Sequence, residues 1–183
     1  MSGAHHRTIS DRFSMPKSIN LLSLIQAQRS LDRGGYERYA ASHGIAMRTN
    51  EVGDLRSLAE RLRGGEPNDR LFDQYYVGYQ IPQIGKEFDL LRFGANHHIN
   101  IEVKADCDLA KIERQLRRNK YYLGFLNRDV YCISYSSLTQ QFFVLAGNDA
   151  VSEIDAEEVK LLLASQLVDE ATPIAERFNP SNY

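Results

Sequence analysis

The chain is poor in cysteine, has no long apolar run and carries no surplus of charge, and each shortage removes a class of protein. Cys107 and Cys132 are its two cysteines, one in a polar stretch and one in a segment that reads as a strand. They make neither a disulfide framework nor a CxxC pair for zinc, so a reducing, cytoplasmic setting is expected. No apolar run approaches the roughly 20 residues that span a bilayer. The opening MSGAHHR lacks an apolar h-region and a small-residue cleavage site, so neither a membrane partner nor a secretory leader is expected. Internal repeats and low-complexity tracts are missing too. The formal net charge is −2, from 22 Lys and Arg against 24 Asp and Glu, whereas a protein drawn nonspecifically to nucleic acid is usually clearly basic. What remains is ordinary: 183 residues, 43% apolar and 25% charged, enough for a sizeable core and unlike a disordered or fibrous chain.

Periodicity divides the chain into three regions. Residues 18–32 place Ile19, Leu22, Ile25 and Leu31 at helical spacing until Gly34-Gly35 stops them, and Gly35 to Ser42 fits a second short helix. Asn50 reads as the N-cap of a third helix with Leu55, Leu58, Ala59 and Leu62 on one face, ended by Gly64-Gly65. After Pro67 the pattern turns to aromatic and β-branched runs, with strands expected at 75–81, 87–93 and 98–104. A helix at 109–123, strands at 130–135 and 141–145, and a helix at 156–167 complete the order. The expectation is an α/β fold, a small mixed sheet flanked by helices. A helical region at 1–66 packs on a core at 67–148, and a C-terminal helix and tail occupy 149–183.

Alternation on the second strand turns Glu87, Asp89, Leu91 and Phe93 one way and Phe88, Leu90 and Arg92 the other. On the third strand His98, Asn100, Glu102 and Lys104 share a face. Pairing through the Gly94 turn lets Asp89 and Glu102 meet across the strands, with the Lys104 ammonium two residues further on. Paired carboxylates suit a hard cation such as Mg²⁺, or Mn²⁺ in its place, which also takes substrate phosphate oxygen. Such a cation polarises a phosphoryl group and acidifies a bound water, and Lys104 can position that water and offset developing negative charge.

The string IPQIGKEFDLLRF…INIEVK…IERQLRRNKYYL, with Asp89 followed by Glu102-Val103-Lys104, resembles the PD-(D/E)XK, or restriction-endonuclease-like, nuclease superfamily over residues 70 to 135. It is similar to nuclease-like domains of bacterial helicase-associated and phage-defence proteins. The resemblance implies a restriction-endonuclease-like core and a Mg²⁺-dependent deoxyribonuclease, with a helicase or ATPase as partner or fused domain. It makes Asp89 and Glu102 metal ligands, Val103 a backbone-carbonyl ligand and Lys104 the catalytic lysine. Phe88 stands where the motif has proline, and Asn119 stands where a tyrosine would follow Gln115 by four residues. The accessory glutamine motif is thus half present.

On the 109–123 helix, Lys111, Arg114, Arg118, Tyr122 and Gln115 form one stripe opposite Leu109, Ile112, Leu116 and Leu123. Gln115 borders the apolar face, within reach of the carboxylates. Lys111, Arg114 and Arg118 are expected on DNA phosphates and Tyr122 on a sugar or base. Glu60 is the acid of the third helix weighed as a further ligand. His97 and His98 read as turn residues, and His98 stands too far along the strand to share the cation. Cys107 reads as a structural thiol, the tyrosine pairs at 75–76 and 121–122 as core filling, and His5 and His6 receive no role. The near-neutral total is a cancellation: residues 109–128 hold six cations and one acid, a local +5, and residues 149–170 hold seven acids and one lysine, a local −6. Other functions stay open: a nuclease fold kept only to bind nucleic acid or a protein, or a pure protein-interaction module, with self-association compatible with each. The closing ERFNPSNY has no terminating character, as in a domain of a longer helicase-type protein.

Overall fold

A computed structural model describes residues 15–45, 47, 51–64, 68–145, 150–179 and 181 of the chain. Asn20 accepts from the backbone N–H groups of Leu22 and Ser23 and opens helix α1 (Leu21–Ser30). Asp32 accepts from the N–H of Gly35 at 2.6 Å and opens α2 (Arg33–Ser42). Gly34-Gly35 therefore lies in the first turn of α2 rather than ending α1. The break falls where Asp32 starts a new helix, and Leu31, expected in the core, is 43% exposed there. Helix α3 (Glu51–Arg63) buries Val52, Leu55, Leu58, Ala59 and Leu62 along one stripe. Its expected cap Asn50, the two N-terminal histidines His5 and His6, and both expected domain boundaries, 66/67 and 148/149, lie outside the described residues.

Six strands follow: β1 (Tyr76–Ile81), β2 (Lys86–Arg92), β3 (His97–Lys104), β4 (Asp129–Ser136), β5 (Gln141–Leu145) and β6 (Val151–Ile154). They lie side by side in chain order, and every neighbouring pair is antiparallel except β3 and β4. That parallel pair needs a crossover, which helix α4 (Leu109–Leu123) supplies. Helices α5 (Ala156–Ser165) and α6 (Ile174–Arg177) complete an α/β fold with a six-stranded mixed sheet and six helices among the described residues. Strand β6 is unexpected, because VSEI is four residues long and too short to show a pattern. It adds to the sheet a part of the C-terminal segment read as helix and tail.

Each face of the sheet carries its own core. On one face Leu24, Leu55, Leu58, Val159 and Leu163 pack on Val77, Leu90, Ile99, Ile101 and Ile133, so α1, α3 and α5 share one apolar layer. On the other, Ile112, Leu116 and Leu123 of α4 and the C-terminal Ile174 and Phe178 pack on Phe88, Leu91, Phe93, Cys132 and Phe143. His97 and His98 are not turn residues: both are buried in β3, where His97 Nε2 meets the carbonyl of Leu162 and His98 Nδ1 accepts from the N–H of Gly94. Among the described residues no helix is long and apolar enough to cross a membrane.

Candidate active site at the parting of two strands

Strands β2 and β3 are paired only as far as Leu90 opposite Ile101. One step on, Asp89 would face Glu102, and there the strands part. Across β2, Gly78 stands opposite Asp89 in the β1–β2 register, unpaired and with φ +62°, a backbone state that glycine reaches without strain. Side chains change faces at this point. Leu91 and Phe93 lie on the α4 side and Leu90 on the other, as alternation requires, but Phe88 joins Leu91 and Phe93 instead of Leu90. The expected alternation holds beyond Asp89 and fails at it.

Where the ladder stops, the two carboxylates take over its hydrogen bonds. The N–H of Asp89 points to Glu102 Oε1 at 3.5 Å, and the N–H of Val103 donates to Asp89 Oδ2 at 2.9 Å. Glu102 is 1% exposed. Its Oε1 also accepts from Asn119 Nδ2 at 2.8 Å and Asn100 Nδ2 at 3.3 Å, and its Oε2 accepts from Gln115 Nε2 at 2.9 Å and Lys104 Nζ at 3.4 Å. A carboxylate so deeply buried requires donors of this kind. The Lys104 ammonium lies 3.6 Å from Asp89 Oδ2 as well, so one cation spans both acids. Burial and then the charge of Glu102 push the Asp89 carboxyl up to about 6, against the pull of Lys104 and the Val103 N–H. Burial opposes the charge of Lys104, yet Asp89 and Glu102 outweigh it and raise the ammonium above its ordinary value.

Helix α4 delivers Gln115 and Asn119 from adjacent turns. Asn119, standing in the tyrosine position, is fully buried and also bonds Asn100 Oδ1 at 2.7 Å. Gln115 and Asn119 thus donate to the two oxygens of one and the same carboxylate. Leu109, assigned to the apolar face, is exposed at the helix start, and Tyr121, read as core filling, is 79% exposed. Asp89 and Glu102 face a cleft of about 510 Å³ that Ile84, Lys86, Glu87, Arg118 and Tyr122 also line. Burial lowers the Lys86 ammonium there. A groove of about 280 Å³ continues past Lys104 and Gln115 to Lys111, Arg114 and Arg118. Lys111 already pairs with Asp106 at 3.8 Å and Asp108 at 3.3 Å, whereas no carboxylate among the described residues pairs with Arg114 or Arg118.

The structure thus brings together Asp89, Glu102, Lys104 and Gln115, places Val103 beside them through its N–H, and sets Arg118 and Tyr122 at the rim. Glu60 is exposed and lines neither cleft nor groove; Glu51 and Asp54, from the first turn of α3, line a cavity of about 180 Å³ with Asp89 and Lys104 instead. Reading the sequence missed these two acids and both asparagines; the i, i+4 spacing of Gln115 and Asn119 is the one local signal pointing to Asn119. Among the described residues no cluster of three or more His, Cys, Asp and Glu side chains could hold a metal ion, so the side chains that could reach a cation here are the two carboxylates, Asp89 and Glu102. Compared with protein-family models, curated proteins and solved structures, the chain matches none.

Proposed function

We propose that the chain is a restriction-endonuclease-like, Mg²⁺-dependent nuclease that hydrolyses phosphodiester bonds of DNA. The observation that carries this reading is the opening between β2 and β3, where Asp89 and Glu102 share one ammonium at the wall of a cleft. The donor set is oxygen only, which fits a hard, partly hydrated cation rather than zinc. Asp89 and Glu102 would hold it, with the Val103 carbonyl as a third oxygen. When bound, the cation supplies Lewis-acid polarisation of the phosphoryl group and a water of lowered pKa. The other roles belong to the chain itself. Asn100, Asn119 and Gln115 fix the Glu102 carboxylate in one orientation. Lys104, 34% exposed at its side chain, faces the cleft as a cation that can hold a phosphate oxygen or the attacking water. Arg118 and Arg114, which no carboxylate among the described residues pairs with, supply guanidinium groups along the path a strand would take, and Tyr122 an aromatic edge.

The test is cleavage of linear and circular, single- and double-stranded DNA with Mg²⁺, Mn²⁺ or EDTA. Expected is divalent-dependent turnover that Asp89→Asn, Glu102→Gln or Lys104→Ala each lowers at least about 100-fold, with the far-UV circular dichroism retained. Variants that cut at the wild-type rate overturn the assignment. A second reading, a silent module that binds DNA without cutting it, is favoured by one observation: every oxygen of Glu102 already accepts at least two hydrogen bonds. It predicts salt-sensitive DNA binding with no turnover in either divalent ion.

A further inference from the structure

At the other end of β3, four residues and roughly 13 Å along the strand from Glu102, lies a pocket of about 500 Å³ unrelated to the cleft. His98, Asn127, Arg128, Asp169 and Arg177 line it, together with Phe125. Arg177 comes from α6, has a side chain only 9% exposed, and lies over the Phe93 ring at 4.5 Å. Its Nη2 meets Asp169 Oδ2 at 2.6 Å, but its Nε is buried with no hydrogen-bond partner among the described residues. A buried donor on a guanidinium is costly to leave unmade.

The other groups complete the pattern. Asp169 is spent on its own loop: Oδ1 accepts from the N–H groups of Ala171 and Thr172, and Oδ2 from Thr172 Oγ1 and Arg177. It leaves Arg128 without a counter-charge among the described residues. Arg128 is held in place by carbonyls, with Nε on Ala95 and Nη1 on Asn127, both at 2.7 Å. Because His98 Nδ1 accepts from Gly94, the neutral ring carries its hydrogen on Nε2 and is a donor there. Two guanidinium groups, an imidazole N–H and an amide thus border one pocket against a single, already satisfied carboxylate. Planar forks of this kind match phosphate oxygens in pairs.

We infer that this pocket binds the phosphate group of a small phosphorylated compound, with Arg128, Arg177 and His98 as its donors. The inference does not rest on the nuclease reading. It is tested on the full chain in EDTA by calorimetric titration with inorganic phosphate, pyrophosphate and AMP. Saturable binding of at least one, with Kd near or below about 1 mM, is expected. The exposed Arg128→Gln weakens it at least about tenfold, Arg177→Lys weakens it through loss of the fork, and Glu102→Gln leaves it unchanged. Tighter binding of AMP than of phosphate assigns a nucleotide; equal binding assigns phosphate itself. Thermal unfolding of each variant separates a lost site from a lost fold. No saturation with any probe up to about 10 mM, wild-type affinity in folded Arg128→Gln, or affinity lost in Glu102→Gln overturns the inference.

Discussion

At Glu102 five donors converge on one carboxyl group that has almost no contact with solvent. An amide there keeps one acceptor and turns its NH₂ toward groups now oriented as donors, of which Lys104 and the Asp89 N–H cannot accept and the neighbouring amides accept only by turning over. Glu102→Gln should therefore destabilise the fold by about 1–3 kcal/mol in urea unfolding with EDTA present. Asp89→Asn keeps an acceptor for the Val103 N–H and can turn its NH₂ to the cleft, so its cost should stay under about 1 kcal/mol; equal losses would refute the distinction. Glu102 and Lys104 were legible because alternation on β3 needs only a period of two, whereas Asp89, where the β2 alternation fails, was legible from strand pairing through the Gly94 turn. Asn119 was not, since an asparagine between Arg118 and Lys120 on a helix reads as surface until α4 is seen lying over β3. Glu51 and Asp54 were not either, because the end of α3 that reaches the cleft depends on how that helix packs. His98 supplies the pH prediction. Burial, then Arg177, Arg128 and His97, lower it from the ordinary 6.5 to about 4, with Asp169 opposing. The unfolded chain takes up a proton below 6.5 that the folded one refuses. The stability is whole above 6.5 and is lost as pH falls toward 4, by ~2 kcal/mol between pH 7 and 5. Asp89, raised to about 6, titrates in the opposite sense over the same interval, so the histidine is read by difference: lowering the pH from 7 to 5 should cost the wild type more in urea midpoint than it costs His98→Gln.

Elements were easier to read by type than by boundary. Helices α1 to α5 and the first five strands stand close to their expected places, because sustained periodicity survives tertiary packing, whereas the four-residue α6 falls in the stretch read as tail. The α1–α2 break turned on a single capping aspartate, and β6 on pairing with β5 rather than on any pattern of its own. Gly94 shows what local reading omits. It was taken as a hairpin residue, and it does end β2's run toward β3, but it also bridges Val168 of the chain beyond α5. A Cβ there would stand 2.5 Å from Gln166 Cγ, 2.7 Å from the His97 carbonyl oxygen and 3.0 Å from that of Leu167. The backbone around it is pinned: the N–H of Ala95 donates to the Leu167 carbonyl at 2.7 Å, and that of Asp169 to the Phe93 carbonyl at 3.0 Å. Gly94→Ala should cost about 1–3 kcal/mol, read as a lower urea midpoint with an unchanged slope. A loss below about 0.5 kcal/mol would mean that the junction relaxes freely.

Across the whole molecule the helices of the two charged segments, α4 and α5, fall on opposite faces of the sheet, while Asp169 beyond α5 shares a pocket with Arg128. Helix α4, with its cations, packs on one core, and α5, opened by Glu157 and Glu158, packs on the other. Opposite placement lets a chain of net charge −2 present a basic surface on α4 without the acids of α5 beside it. On the proposed reading this surface meets duplex DNA, and binding weakens with salt at about −0.9 in log K per log salt for each phosphate neutralised. The cations of the stripe should not contribute equally. Arg114 and Arg118 have no carboxylate partner among the described residues, whereas Lys111 already shares its charge with Asp106 and Asp108 and must give up those pairs to meet a phosphate. Measured with Ca²⁺ in place of Mg²⁺ across a salt series, Arg114→Ala and Arg118→Ala should each flatten the slope by about one phosphate. Lys111→Ala should change it by clearly less. Equal changes at all three would show that Lys111 leaves its acids on binding. An unaltered slope in both arginine variants would move the DNA contact off α4 altogether.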